Sequence, residues 1–184
     1  MEEDEAMKKH LGFTIWFTGL PCCGKTTIAN EVAVVLKKRN YLVEQLDGDL
    51  IRQNFSSDLT FSKKDRDENI KRATFLAKML SRNNVVVLAS FVSPYRKQRR
   101  RARKEIKNFV EVYVRCPVKI CMKRDVKGMY QQALEGKITH FTGVDDPYEE
   151  PEHPELIVDT DIESVEESVG KVLRKIEELG YLTE

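Results

Sequence analysis

Phe13-Thr-Ile-Trp-Phe-Thr18 runs directly into Gly19-Leu-Pro-Cys-Cys-Gly-Lys-Thr26. A short run of β-branched and aromatic residues, closed by glycine and followed by a helical pattern from Lys25 to Lys38, predicts a buried strand, a tight loop and a helix in that order. Gly19 and Gly24 with Lys25 and Thr26 satisfy the spacing of a phosphate-binding loop. In such a loop backbone N–H groups wrap the phosphates, the lysine neutralises them and the hydroxyl takes Mg²⁺. The competing reading is a glycine-containing turn with an incidental lysine, and the flanking strand and helix argue against it. The stretch Gly19, Leu20, Pro21, Cys22, Cys23, Gly24, Lys25, Thr26 and Thr27 is therefore the candidate site for a nucleoside triphosphate.

The 184 residues, 41% of them hydrophobic, can bury one substantial core, so a single domain over 1–184 is expected. Thirty-one basic and thirty acidic side chains leave a net charge of +1, and no global field argues for nucleic acid or an anionic membrane. Met1 to His10 is polar and acidic rather than an apolar signal core, and no apolar run approaches a spanning helix, which predicts a cytoplasmic protein. Cysteines 22, 23, 116 and 121 lack zinc-site spacing and are too few for a disulfide framework, so reduced thiols are expected.

Outward from the loop, Ile28, Val32, Val35 and Leu36 recur at helical spacing. Leu42 to Leu46 reads as a second strand ending in Asp47-Gly48-Asp49, two carboxylates at the sheet edge where ligands bind in open α/β folds. Ser62 caps a helix to about Arg82, with Ile70, Ala73, Ala77 and Leu80 inward. Val85 to Ala89 is a central strand running into Ser90-Phe-Val-Ser-Pro-Tyr-Arg96. From Arg96 to Lys104 seven of nine residues are basic, which predicts a solvated helix whose first arginines, Arg96 and Arg99, face the site. Phe109 to Val114 is a fourth strand and Val118 to Met122 opens a helix. The segment from about Arg124 to Pro154, rich in glycine, proline and charge, predicts a mobile lid that excludes water during phosphoryl transfer. Leu156 to Asp159 is a last strand. Ser164 and Glu167 form a capping box for a final helix with Val165, Val169, Val172, Leu173 and Ile176 inward. The fold class is α/β: a three-layer sandwich on a parallel, doubly wound sheet of about five strands, of the P-loop kinase type.

No guanine-reading Asn-Lys-x-Asp motif is present, and the Val85–Ala89 strand ends in serine rather than acid, so a small-molecule kinase is favoured over a GTPase or a motor. Gly19-Leu-Pro-Cys-Cys-Gly-Lys-Thr-Thr27, Asp47-Gly-Asp-Leu-Ile-Arg52, Phe61-Ser-Lys-Lys-Asp-Arg66 with Asn69, Phe91-Val-Ser-Pro-Tyr-Arg96, Arg124-Asp-Val-Lys-Gly-Met-Tyr130 and Phe141-Thr-Gly-Val-Asp-Asp-Pro-Tyr-Glu149 together closely resemble adenylylsulfate kinase (APS kinase).

The resemblance implies transfer of the ATP γ-phosphate to the 3′-hydroxyl of adenosine 5′-phosphosulfate, with Mg²⁺, by a stand-alone enzyme that is commonly a homodimer. It implies roles that the chemistry supports. Lys25 holds the β- and γ-phosphates. Thr26 and Asp49 attend the metal, and Asp49 orients or deprotonates the 3′-hydroxyl, with Asp47 as a second candidate. Arg52, Arg66 and Asn69 match substrate-contacting positions, as do Val92, Ser93, Lys127 and His140. Phe61 and Phe141 match the rings that sandwich the adenine, with core packing the competing account for Phe61. Ser93 stands where some members carry a phosphoserine, but no adjacent base is evident, so it is read first as a wall residue. The sequence departs from the family pattern at Cys22, Cys23 and Val126. Both loop cysteines lie at a helix N-terminus beside Lys25, surroundings that raise thiol reactivity.

Overall fold

A computed structural model describes residues 10–182, and the reading of residues 1–9 as a polar segment lies outside them. In chain order the elements are β1 (Thr14–Thr18), α1 (Lys25–Lys38), β2 (Val43–Asp47), α2 (Gly48–Asn54), α3 (Lys63–Ser81), β3 (Val86–Ser90), α4 (Arg96–Glu105), β4 (Phe109–Arg115), α5 (Val118–Arg124), α6 (Met129–Leu134), β5 (Leu156–Asp159) and α7 (Val165–Glu178). Five strands form one sheet in the order β2-β3-β1-β4-β5, and every pairing is parallel. The central three are buried along nearly their whole length, as strands covered on both faces must be.

Alternation along β1 splits the core into two layers. Ile15 and Phe17 pack with Ile28, Val32 and Leu36 of α1 and Val172 and Ile176 of α7. Trp16 points the other way, into Ile70, Ala73 and Ala77 of α3 and Ala102 of α4. Burying some twenty large side chains at about 1.5–3 kcal/mol each is what offsets the entropy of ordering the chain. β1 and β3 lie side by side, but the chain leaves β1 through α1 on one face and β3 through α4 on the other. Their carboxyl ends therefore open the crevice where α/β folds bind ligands.

Most sequence-predicted elements stand within a residue or two of their expected bounds, and three expectations change. The Asp47-Gly48-Asp49 stretch, read from sequence as two carboxylates closing a strand, also opens a helix: Asp47 caps α2, accepting from the N–H groups of Asp49 and Leu50. The segment expected to be a loose lid contains α6, and Tyr130, Phe141 and Thr142 are buried within it. Val165 is over a third exposed rather than inward, because it is the first residue of α7, before the helix closes on the sheet. Ser164 and Glu167 do form the reciprocal capping box.

Candidate active site

The loop after β1 owes its shape to two glycines. Gly19 has φ +154°, and a Cβ there would lie 2.4 Å from the Val114 carbonyl oxygen. Gly24, at φ +101°, occupies the N-cap of α1 and offers no side chain, which leaves the first amides of the helix turned toward an incoming anion. Lys25 is only 8% exposed. Its Nζ donates to the carbonyls of Gly19 (3.0 Å) and Leu20 (2.7 Å), so the ammonium stands inside the loop it serves. Two outside contacts brace the same backbone: Tyr130 OH donates to Pro21 O (3.1 Å) and Thr160 Oγ1 to Cys23 O (2.7 Å). Cys23 is fully buried while Cys22, at φ +59°, remains partly exposed, so the two thiols read together from sequence differ in access.

At the end of β2, Asp47 faces the loop. Its Oδ2 accepts from Thr26 Oγ1 at 2.9 Å, and its Oδ1 accepts from Asp49 N at 2.9 Å. Asp49, expected beside Thr26, instead pairs with Lys127 of the 124–154 segment. The hydrogen bond to Asp49, reinforced by the charges of Asp49 and Asp47, holds the Lys127 ammonium above its ordinary pKa. Of the two carboxylates, it is thus Asp47 that stands at the threonine. Among the described residues no cluster of three or more His, Cys, Asp or Glu forms a metal cage. Mg²⁺ does not need one, because it keeps waters and phosphate oxygens and takes only one or two protein oxygens. Thr26 and Asp47 fit that requirement.

Arg52 and Arg66 converge on the crevice. Arg52 stacks over the Phe61 ring at 4.4 Å and donates to Thr60 O. Its pKa is lowered by burial and then by the neighbouring charge of Arg66, with Asp65 and Asp49 acting the other way. Phe61 itself is 50% exposed, which removes the core-packing account for it. Arg66 bonds across to the 124–154 segment, to Asp146 (3.0 Å) and Thr142 Oγ1 (2.8 Å). Asn69, one turn along α3, is 5% exposed, and its Oδ1 accepts no hydrogen bond among the described residues. Phe141 is buried edge-on against Tyr130 at 4.9 Å. His140 is exposed at φ +59°, and the N–H groups of both residues bond to Asp145, holding that carboxyl below its usual range.

Ser93 is 1% exposed and sits at φ +39°, its hydroxyl bonded to Trp16 Nε1 (3.1 Å) and Thr18 Oγ1 (2.9 Å). Val92 O accepts from Thr18. Arg99, expected to face the pocket, lies behind it against Glu111, whereas Arg96 turns to Glu150 and Glu152 at the surface. Sequence reasoning missed Thr18, Glu111 and Tyr148 as parts of this wall. Only the strand register and the return of the chain at 148–149 bring them together.

Residues 11–159 match the adenylylsulphate kinase family. An adenylyl-sulfate kinase from Halothermothrix orenii is 52% identical over 96% of this chain and 95% of its own length. One from a Picosynechococcus species is 51% identical over 95% and 99%. Among solved structures, an APS kinase of Mycobacterium tuberculosis in complex with AMPPNP and APS superimposes with a TM-score of 0.88. That protein is 37% identical, with 91% of this chain and 99% of that one covered. On the phosphate loop, the arginine pair and this breadth of similarity, the chain belongs to the adenylylsulfate kinase family.

Proposed function

We infer that this protein is an ATP-dependent adenylylsulfate kinase, transferring the γ-phosphate of ATP to the 3′-hydroxyl of adenosine 5′-phosphosulfate to give 3′-phosphoadenosine 5′-phosphosulfate. The observation that carries the reading in this chain is the contact between Lys127 and Asp49. It sets the 124–154 segment over the strand-end carboxylates, directly beside a loop built for a triphosphate. In this reading the loop amides and Lys25 hold the β- and γ-phosphates, and Thr26 and Asp47 would hold Mg²⁺, which would supply charge neutralisation when bound. Asp49 orients the 3′-hydroxyl and takes its proton as the new P–O bond forms and the bond to the β-phosphate bridging oxygen breaks. Arg52 and Arg66 hold the phosphosulfate, Asn69 Oδ1 accepts from the adenine or ribose, and Phe61 and Phe141 flank the base. Val92, Ser93, His140 and Lys127 complete the walls.

Transfer is direct. The Ser93 hydroxyl is enclosed by Trp16 N–H, Thr18 Oγ1 and the Phe91 carbonyl, none of them a base that could make it a nucleophile. We also propose one domain with 124–154 as its lid, cytoplasmic residence in keeping with four free cysteines, and a homodimer. The pairing is supported by Phe75 and Met79, one turn apart and exposed on α3. A coupled assay with ATP, Mg²⁺ and a panel of adenosine 5′-phosphosulfate, nucleosides and sugar acids tests the assignment. Turnover of the sulfonucleotide alone is expected, and Lys25→Ala lowers it by about 10²–10³ while the circular dichroism spectrum is kept. Turnover of a sugar acid in place of the sulfonucleotide would overturn the reading.

A further inference from the structure

Outside the reacting groups, Arg99 of α4 is a buried side chain with every arm of its guanidinium engaged. Its side chain is 2% exposed and Nε donates to Glu111 Oε1 at 2.9 Å. Nη1 donates to the Ser93 carbonyl, Nη2 to the Glu149 carbonyl, and the guanidinium lies 5.5 Å from the Tyr148 ring centroid. One planar fork thus joins the strained wall after β3 to the far end of the lid, with a buried carboxylate as its counter-ion.

The hydroxyls beside it form one connected chain. Trp16 Nε1 can only donate, so Ser93 Oγ accepts there, with Thr18 Oγ1 at 2.9 Å and the Phe91 carbonyl at 3.4 Å as acceptors for its own proton. Thr18 Oγ1 lies 2.9 Å from both Val92 O and Tyr148 OH, so Tyr148 is the donor of that pair whenever Thr18 donates to the carbonyl. The adjoining backbone is tied down as well: Glu149 N donates to Pro94 O, and the Glu149 carboxylate accepts from Arg96 N. That bond supplies the cap which Tyr95, at the N-cap of α4, does not provide with its own side chain.

We propose that Arg99 and Tyr148 are a positioning pair that locks the end of the lid to the Ser93 wall and so fixes the width of the sulfonucleotide pocket. The proposal rests on the adenylylsulfate kinase reading for its substrate. The phosphate loop itself is braced by Tyr130 and Thr160, and Tyr148 reaches only Thr18, the last residue of β1 before it, so the pair acts chiefly on the sulfonucleotide side.

Arg99→Lys keeps a charge for Glu111 but cannot span two carbonyls, and Tyr148→Phe removes one hydroxyl and no charge, so the second variant keeps the fold even if the first does not. Each is expected to lower kcat/KM for adenosine 5′-phosphosulfate about 10-fold, through KM, with affinity for a non-hydrolysable ATP analogue held within about twofold. The double variant is expected to be no worse than either single, because both break one joint. Two readouts need no turnover. Trp16 is the sole tryptophan, and its emission shifts in both variants as its Ser93 partner moves; amide exchange over 141–150 quickens. Unchanged emission and exchange would overturn the pair. So would an additive loss of about 100-fold in the double variant, or equal weakening toward both substrates. Should the wild type fail to phosphorylate adenosine 5′-phosphosulfate, the functional reading falls, and emission and exchange still decide the positioning pair.

Discussion

Asn69 illustrates how a single side chain carries specificity here. Its Oδ1 is buried without a donor, one helical turn from Arg66, and a bound sulfonucleotide would supply the missing N–H or O–H. Asn69→Ala is expected to weaken use of the sulfonucleotide by roughly 10-fold while ATP binding is kept. Titrating the two ligands separately checks it. Arg66→Ala is less clean, because the same change strips Asp146 and Thr142 of their partner and loosens the lid. At the loop, only Cys22 is open to reagents, so alkylation should modify Cys22, spare Cys23, and be blocked by prior ATP. Peptide mass spectrometry with and without the nucleotide reads this directly; protection absent at full ATP occupancy would separate the thiol from the nucleotide site. These residues were named from sequence because their spacing survives without a fold. Arg99 was expected at the pocket because it follows Ser93 and Arg96 at helical spacing, and only the sheet shows that Glu111 draws it behind the wall.

Among elements, α4 shows how paired charge replaces apolar packing. Arg103 holds Glu155 with two hydrogen bonds, Glu111 N adds a third, and Arg101 grips Asp67 of α3. Burial pushes the Glu155 carboxyl up, but the Arg103 and Glu111 bonds outweigh it and hold it below the usual range. Asp159 is held low in the same sense, chiefly by its hydrogen bond to Arg115. A carboxyl with a folded pKa below its unfolded value, about 4 for these groups, stabilises the native state fully above that value. The stability is then lost as pH falls through the folded pKa. Melting temperature should therefore drop steeply below about pH 4, and Glu155→Gln should lower the neutral-pH value while flattening that acid slope. Thermal melts across pH 3–7 measure both. The strands and long helices were legible because hydrophobic period alone defines them. α2 and α6 were not, since α2 buries no residue and α6 only Tyr130 and Ala133, which leaves no apolar period to read.

For the whole molecule, the exposed apolar pair on α3 bears on assembly. On the proposed homodimer, Phe75→Asp is expected to give a monomer in light scattering at micromolar concentration, with the melting curve otherwise cooperative. A dimer that persists in that variant would move the interface elsewhere on the surface. The strand order has a separate consequence, for synthesis rather than catalysis. β1 precedes both its neighbours, β3 and β4, by a long stretch of chain, so the strand that carries the phosphate loop lacks its partners until that stretch has been made. At roughly 5–20 residues per second the wait lasts on the order of 5–20 s, with Phe13-Thr-Ile-Trp-Phe-Thr18 exposed as a sticky open edge. Nascent chains halted before Phe109 should therefore recruit a chaperone at this hexapeptide, and release it once Arg115 has cleared the ribosomal tunnel.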